Sequence, residues 1–289
     1  MTPASDSPAV PSKFRDLAVR VVVALVLIAI VSVTVIWFRW GFIVVLGAFV
    51  VVGSQELGHA ASLKGWHPVW QVVAVGGAAL LLVEYGLSWF APPAFAPLPI
   101  GLVGCTVLVL VAWGWRLRRP VEGFMVDAAL TALIIAYLPL LGTFVVAMTR
   151  TAHPVAEVAV FIACIALNDT GAYFMGSWLG RHRMTPRISP AKTWEGFVGG
   201  IVWAGVSGAL LIHFVLHAPW WQGVVFGVVL GLCATVGDLV ESAMKRDVGV
   251  KDMGKLLPGH GGVIDRVDSM LFCAPVAWAL LNLWIMVGR

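Results

Sequence analysis

The sequence has few charged residues. Of its 289 residues, 12% are Asp, Glu, Lys or Arg, and 60% are hydrophobic. Soluble domains carry about 25% charged residues, so this chain is short of the charge that a water-facing surface needs. With a mean hydropathy of +0.93, the composition excludes an ordinary soluble protein and indicates a polytopic membrane protein.

The sequence also lacks the residue clusters of redox and zinc sites. Its four cysteines lie singly in apolar runs without CxxC spacing, and we interpret them as small buried hydrophobic residues. His213 and His217 are four residues apart, but at the predicted outer end of a span, which favours an interfacial position over a metal pair. No internal repeat is visible, which argues against a transporter built from duplicated halves.

Hydropathy predicts an all-α fold with about nine transmembrane helices. Residues 1–16 are expected to form a disordered cytoplasmic tail, because residues 1–12 are rich in Pro, Ser and Ala. The next apolar run is too long for a signal-peptide core and no small-residue cleavage site follows, so it predicts an uncleaved span. The predicted spans are 18–38, 41–62, 69–90, 97–115, 124–148, 155–178, 196–217, 220–244 and 267–288.

Basic residues predict the orientation of these spans. With a cytoplasmic N-terminus, all but three of the 19 Lys and Arg residues fall on the cytoplasmic side. The exceptions are Arg39, Arg150 and Arg289. By the positive-inside rule the N-terminus is cytoplasmic and the C-terminus lies outside. No transit peptide is visible, so we expect a bacterial cytoplasmic (inner) membrane.

Ionisable residues inside the predicted spans are candidate functional groups, because charge in lipid is costly. In the first half these residues are Glu56, His59, Glu84 and Asp127. Glu56 and His59 share a helix face, so they either satisfy each other or a neighbouring helix, or have a function.

In the second half the polar residues are more concentrated. Asn168 and Asp169 lie in the sixth span, where the carboxylate needs a metal or a basic side chain as partner. Four residues of the eighth span share one helical face through their i, i+3, i+4 and i+7 spacing: Asp238, Glu241, Ser242 and Lys245. Three more begin the ninth span: Asp265, Arg266 and Asp268.

Two polar cytoplasmic loops, 179–195 and 245–266, have features of phosphate sites. Ser189, Lys192 and Thr193 precede a helix start, where hydroxyl, ammonium and free N–H groups favour phosphate. The alternative is the positive-inside bias alone, or attraction to anionic lipid head groups. In the second loop, the glycines around His260 let backbone N–H groups approach an anion.

Carboxylates from three spans (Asp169, Asp238 and Asp265), with Lys and Arg around them, indicate hard-cation chemistry. Mg²⁺ takes one or two carboxylates plus substrate phosphates, which fits this combination.

Residues 242–268 carry a motif that resembles the signature of phosphatidate cytidylyltransferases (CDP-diacylglycerol synthases). The motif reads Ser242-x-Met244-Lys245-Arg246, Lys251-Asp252, Gly254, Leu257-Pro258-x-His260-Gly261-Gly262 and Asp265-Arg266-x-Asp268. Two further elements are similar to those of the family: Asn168-Asp169-x-x-Ala172-Tyr173 and Ser189-Pro190-x-Lys192-Thr193-Trp194-Glu195-Gly196. Ala191 departs from the pattern, since many relatives carry a second Lys there. The resemblance covers residues 160–289, and residues 1–150 match only in hydropathy.

The resemblance implies an integral membrane nucleotidyltransferase that depends on Mg²⁺. It would convert CTP and phosphatidic acid to CDP-diacylglycerol and pyrophosphate in phospholipid biosynthesis. It divides the chain after the tail into spans 1–5 (17–150) and a catalytic region with spans 6–9 (151–289). Membrane lipids and a second copy of the chain are the other expected partners, and nucleic acid is not expected.

The residue patterns and the resemblance together predict roles for single residues. Asp238 and Asp265 would hold the metal, with Asn168, Asp169 and Asp268 as ligands or supporting groups, and a second cation remains open. Asp238, Asp265, Lys245 and Arg266 form the implied catalytic set. The implied contacts to substrate phosphates are Ser189, Lys192, Thr193, Arg246, His260, Gly261 and Gly262.

Three other functions are weaker. A transporter or channel explains the intramembrane carboxylates but not the polar loops. A CTP-dependent lipid kinase would transfer the γ-phosphate instead of the nucleotidyl group. A structural scaffold does not explain the clustered polar residues.

Overall fold

The computed structural model describes residues 13–90, 97–256 and 261–285. In these ranges the chain forms nine helices and one short hairpin. The helices are α1 (Lys13–Trp37), α2 (Arg39–Ser62), α3 (Trp70–Leu87), α4 (Pro97–Arg116), α5 (Phe124–Met148), α6 (Pro154–Leu179), α7 (Trp194–Val215), α8 (Trp220–Val248) and α9 (Ile264–Ile285). Strands β1 (Arg183–Thr185) and β2 (Ser189–Thr193) form an antiparallel pair between α6 and α7.

The predicted all-α membrane fold is confirmed. Helices α2 to α9 are each long and apolar enough to cross a membrane, and α1 contains a shorter apolar stretch, Leu25–Trp37. The predicted spans differ from the helices by a few residues at most ends. Residues 13–16, assigned to the tail, are helical, whereas residues 1–12 lie outside the described residues.

The largest differences in the second half lie at the two ends of the 245–266 loop. Helix α8 continues four residues beyond the predicted span and stops where Gly249 adopts a left-handed conformation with φ of 78°. Lys245 and Arg246 in its last turn complement the negative end of the helix dipole, which favours this extension. Helix α9 begins three residues earlier than predicted, at Ile264.

Helix α5 contains a proline without being broken. Residues Ala136–Leu140 form a π-helical turn that includes Pro139. Proline removes one backbone donor and collides with the preceding turn, and a wider turn absorbs both effects.

Asp127, a candidate functional residue, has a structural role in the fold. Its Oδ2 lies 2.8 Å from Nε of Arg116 on α4, and its Oδ1 accepts a hydrogen bond from the His67 N–H. Arg116 also donates to the carbonyls of Pro120 and Glu122. Asp127 therefore fixes the α2–α3 and α4–α5 connections to each other.

Small residues bring α7 and α8 into close contact. A Cβ at Gly208 would lie 3.0 Å from the Gly227 Cα, and one at Gly227 would overlap the carbonyl oxygen of Ala204. Such close approach is how helices associate in lipid, where the hydrophobic effect offers no drive. The contact holds α7 and α8 beside α6, and α9 packs on α8.

Replacing Gly227 with Ala should therefore destabilise the protein. The added methyl group has no space against Ala204, and overpacking of this kind costs about 1–3 kcal/mol. The control is Gly114→Ala, because a Cβ at Gly114 would meet no atom within 4 Å. Thermal unfolding in detergent should show a lower Tm for Gly227→Ala and an unchanged or higher Tm for Gly114→Ala. Equal Tm values would contradict the close contact.

Candidate active site

A polar cavity of about 650 Å³ lies between the C-terminal parts of α6 and α8, the N-terminal end of α9 and the hairpin. It brings together nine residues of the predicted site set. These are Asn168, Asp169, Lys192, Thr193, Asp238, Lys245, Asp265, Arg266 and Asp268. Residues up to 100 positions apart in the chain therefore share one site.

Three carboxylates in the cavity form a cluster. Asp238 and Glu241, one turn apart on α8, and Asp268 on α9 each place one oxygen within 4.8 Å of the others. The Ser242 hydroxyl donates to Asp238 Oδ1 at 3.2 Å. The candidate metal ligands are all carboxylate oxygens, and such a set suits a hard cation such as Mg²⁺ better than zinc.

Asp265 lies in the same cavity but is differently engaged. Its side chain is 3% exposed, and its Oδ1 lies 2.9 Å from Lys245 Nζ. Its Oδ2 accepts hydrogen bonds from the backbone N–H groups of Gly262 at 2.7 Å and Met253 at 3.0 Å. Asp265 thus ties the loop before α9 to α8, and metal binding by this residue stays a prediction.

Two lysines compensate the acidic groups. Lys192 Nζ lies 2.6 Å from Asp238 Oδ2, and Lys245 Nζ lies 2.6 Å from Glu241 Oε2. In the buried Lys245–Glu241 pair, removing one partner would leave an uncompensated charge, whereas the Lys192–Asp238 pair is partly exposed. Asp169 instead accepts a hydrogen bond from the Asn168 amide at 3.1 Å.

The hairpin positions Lys192 over α8. The Thr193 hydroxyl caps α7 by accepting from the Gly196 N–H, and Glu195 accepts from the N–H groups of Arg181 and His182. Arg246 on α8 donates from Nε to the Ile188 carbonyl at 3.1 Å, which joins the turn of the hairpin to the end of α8. These bonds hold the hairpin at the cavity from both sides.

Four residues predicted to contact phosphates do not line the cavity: Ser189, Arg246, Gly261 and Gly262. Ser189 pairs with Thr185 in the hairpin, and Arg246 supports the hairpin. Gly261 has a φ of 81°, and the Gly262 N–H is engaged by Asp265. His260 lies outside the described residues.

Glu241 is the functional candidate that our predicted site set omits. It is fully buried and belongs to the carboxylate cluster. Its place on the polar face of the eighth span was visible in the sequence, as the i+3 neighbour of Asp238. What the sequence did not reveal was which residues of that face meet Asp268.

Comparison with known proteins agrees with the motif and the membrane fold. Residues 18–284 match the model of the "Cytidylyltransferase family". The chain is 30% identical to a phosphatidate cytidylyltransferase of Mycobacterium leprae over 287 residues, covering 94% of this chain and 90% of the relative. It is 32% identical to one of Synechocystis over 295 residues, covering 93% and 97%. The chain belongs to the cytidylyltransferase family and is a nucleotidyltransferase of the membrane.

Proposed function

We propose that the protein is a phosphatidate cytidylyltransferase, which makes CDP-diacylglycerol and pyrophosphate from CTP and phosphatidic acid. The observation that carries the proposal is the cavity, in which three clustered carboxylates lie beside Lys192 and Lys245. Such a site suits a metal-bound polyphosphate. Two proteins that are similar to this chain over most of its length are named phosphatidate cytidylyltransferase.

A lipid substrate is supported by the surface next to the cavity. An apolar groove of about 440 Å³ lies between α6 and α7, and its lining includes Met175, Val198 and Trp203. The neighbouring residues Gly176 and Phe197 line the polar cavity. An acyl chain in the groove would leave the lipid phosphate at the edge of the cavity. CTP comes from water, so the cavity must open to an aqueous side of the membrane. The distribution of basic residues favours the cytoplasmic side.

The reaction needs no dedicated general base, because the phosphate of phosphatidic acid is ionised near neutral pH. One of its oxygens attacks the α-phosphorus of CTP in line, a new P–O bond forms, and the bond to pyrophosphate breaks. The protein then contributes positioning and charge neutralisation.

Asp238, Glu241 and Asp268 would hold Mg²⁺, with Asp265, Asp169 and Asn168 as supporting groups. When bound, the metal supplies positive charge to the triphosphate. Lys192 on the hairpin and Arg266 on α9 both line the cavity and would contact phosphate oxygens. Asp265 holds Lys245 and orients its ammonium group.

The first test uses protein in detergent with phosphatidic acid, Mg²⁺ and CTP labelled on the α-phosphate. Label should appear in the lipid product, because the nucleotidyl group is transferred, and EDTA should abolish the transfer. Label that remains in soluble CDP would instead support a lipid kinase. Absence of CTP turnover with any lipid and metal would contradict the proposed function.

Removal of a charge from the carboxylate cluster should lower turnover sharply. For Asp238→Asn, Glu241→Gln and Asp268→Asn we expect kcat to fall about 100-fold or more, the scale of losing one electrostatic group in an active site. The Mg²⁺ concentration for half-maximal rate should rise in any variant with residual activity.

The matched control is Asp247→Asn. Asp247 is on the same helix as Asp238, but its side chain is 65% exposed and lies 3.9 Å from Lys64. Its variant should retain normal kcat and Mg²⁺ dependence. Normal kcat in all three cluster variants would eliminate the cluster as the metal site.

Lys192→Ala should raise the KM for CTP. A hydrogen bond between an ammonium and a phosphate is worth about 1.5–3 kcal/mol, which corresponds to a roughly 10- to 100-fold effect. Lys192→Arg should recover part of the loss, because it keeps the charge. Lys64→Ala, which changes an exposed lysine outside the cavity, is the control. If Lys192→Ala changed neither KM nor kcat, Lys192 would not contact substrate.

A further inference from the structure

The start of α9 has no capping residue of its own. A helix leaves its first N–H groups without intrahelical acceptors, and Ser, Thr, Asp or Asn at the N-cap normally satisfies one of them. Here the N-cap is Val263, whose side chain makes no capping hydrogen bond in the described chain. Asp265 accepts from the Gly262 N–H, which leaves the next two N–H groups to be satisfied from elsewhere.

Glu56, in α2, supplies both acceptors. Its Oε1 accepts a hydrogen bond from the Val263 N–H at 2.9 Å, and its Oε2 accepts one from the Ile264 N–H at 3.0 Å. The residue is 7% exposed, and its partners are more than 200 positions away in the chain. A carboxylate at this position also faces the positive end of the α9 dipole.

Two glycines make room for this carboxylate. A Cβ at Gly254 would overlap Glu56 Oε1, and a Cβ at Gly262 would lie 2.6 Å from both carboxylate oxygens. Gly254 lies within the connection between α8 and α9, and Gly262 lies just before α9. The backbone of this connection therefore approaches the Glu56 carboxylate closely at two positions. The other candidate partner, His59, is exposed and contacts the ring of Trp70 instead.

We propose that Glu56 is a positioning residue for the catalytic centre. It does not line the cavity, so it acts through α9. Asp265 directly follows one of the N–H groups that Glu56 holds, and Asp268 lies about one turn further on. Asp268 must stay within 4.8 Å of Asp238 and Glu241. A misplacement of about 1 Å in an active site can cost ~100-fold in rate, so the position of the start of α9 controls turnover.

The activity test of this inference rests on the proposed function, because it measures the proposed reaction. Glu56→Gln keeps one acceptor oxygen and places an amide N–H₂ against the second backbone N–H. We expect kcat to fall about 10-fold or more, with a larger loss for Glu56→Ala, which removes both acceptors. The KM for CTP should stay within about threefold, because Glu56 does not contact the substrate.

Hydrogen–deuterium exchange supplies a readout that is independent of activity. In Glu56→Gln, exchange in peptides covering residues 261–266 should be faster, and exchange in α7 should be unchanged. Gly254→Ala should reproduce both effects, because its Cβ displaces the same carboxylate. The control is Glu84→Gln, since Glu84 is also fully buried in a span, has no hydrogen-bond partner among the described residues and is absent from the cavity lining. This variant should leave kcat and exchange at 261–266 unchanged.

Several results would overturn the inference. They are normal kcat in folded Glu56→Ala, an equal loss in Glu84→Gln, unchanged exchange at 261–266, and a loss of folded yield that matches the loss of activity. The last result would make Glu56 a general stability residue. If wild-type protein turned over no phosphatidic acid, the proposed function would fail, whereas the exchange measurement would still decide whether Glu56 holds α9.

Discussion

Charge inside a membrane-spanning segment must be paired, and the second half of this protein is arranged around that requirement. Asp238, Glu241, Asp265 and Asp268 lie in segments long enough to span a bilayer. Lys192 reaches Asp238 from the hairpin, and Lys245 joins Glu241 to Asp265. These pairs fix the hairpin, α8 and α9 relative to one another, so the shape of the cavity follows from the same contacts that make the charges tolerable.

Carboxylates also satisfy backbone N–H groups near the cavity. Asp265 accepts hydrogen bonds from the N–H groups of Met253 and Gly262 in the preceding loop, and Glu56 accepts hydrogen bonds from the next two N–H groups, at the start of α9. Acidic side chains thus replace the small capping residues that a soluble helix would carry. Side-chain ion pairs therefore join the acidic groups of the cavity to the two lysines, and carboxylate-to-backbone hydrogen bonds hold the start of α9.

Hydropathy was sufficient to predict the all-α membrane class and the nine helices of the described ranges, because eight of the apolar runs are long enough to span a membrane. The i, i+3, i+4 and i+7 spacing placed Asp238, Glu241, Ser242 and Lys245 on one face, as the structure confirms. The hairpin was missed because its strands are only three and five residues long and β2 contains Pro190. The choice of Glu241 over Asp265 for the carboxylate cluster depends on helix rotation, which spacing within one helix does not determine.

The contacts of Glu56 could not be predicted from the sequence, for a different reason. Its partners are backbone groups, which leave no trace in residue type, and they are more than 200 positions away. Asp127 is a similar case, since its contacts to Arg116 and His67 join separate connections.

The Glu56 contact also bears on how the gene can be divided. The residues that line the cavity all lie after position 167, so a fragment containing only α6 to α9 would include the whole reaction centre. In such a fragment, two backbone N–H groups at the start of α9 would lose their hydrogen-bond acceptor, because Glu56 belongs to α2. The second half therefore depends on the first half for the capping of α9, although it contains every residue that lines the cavity.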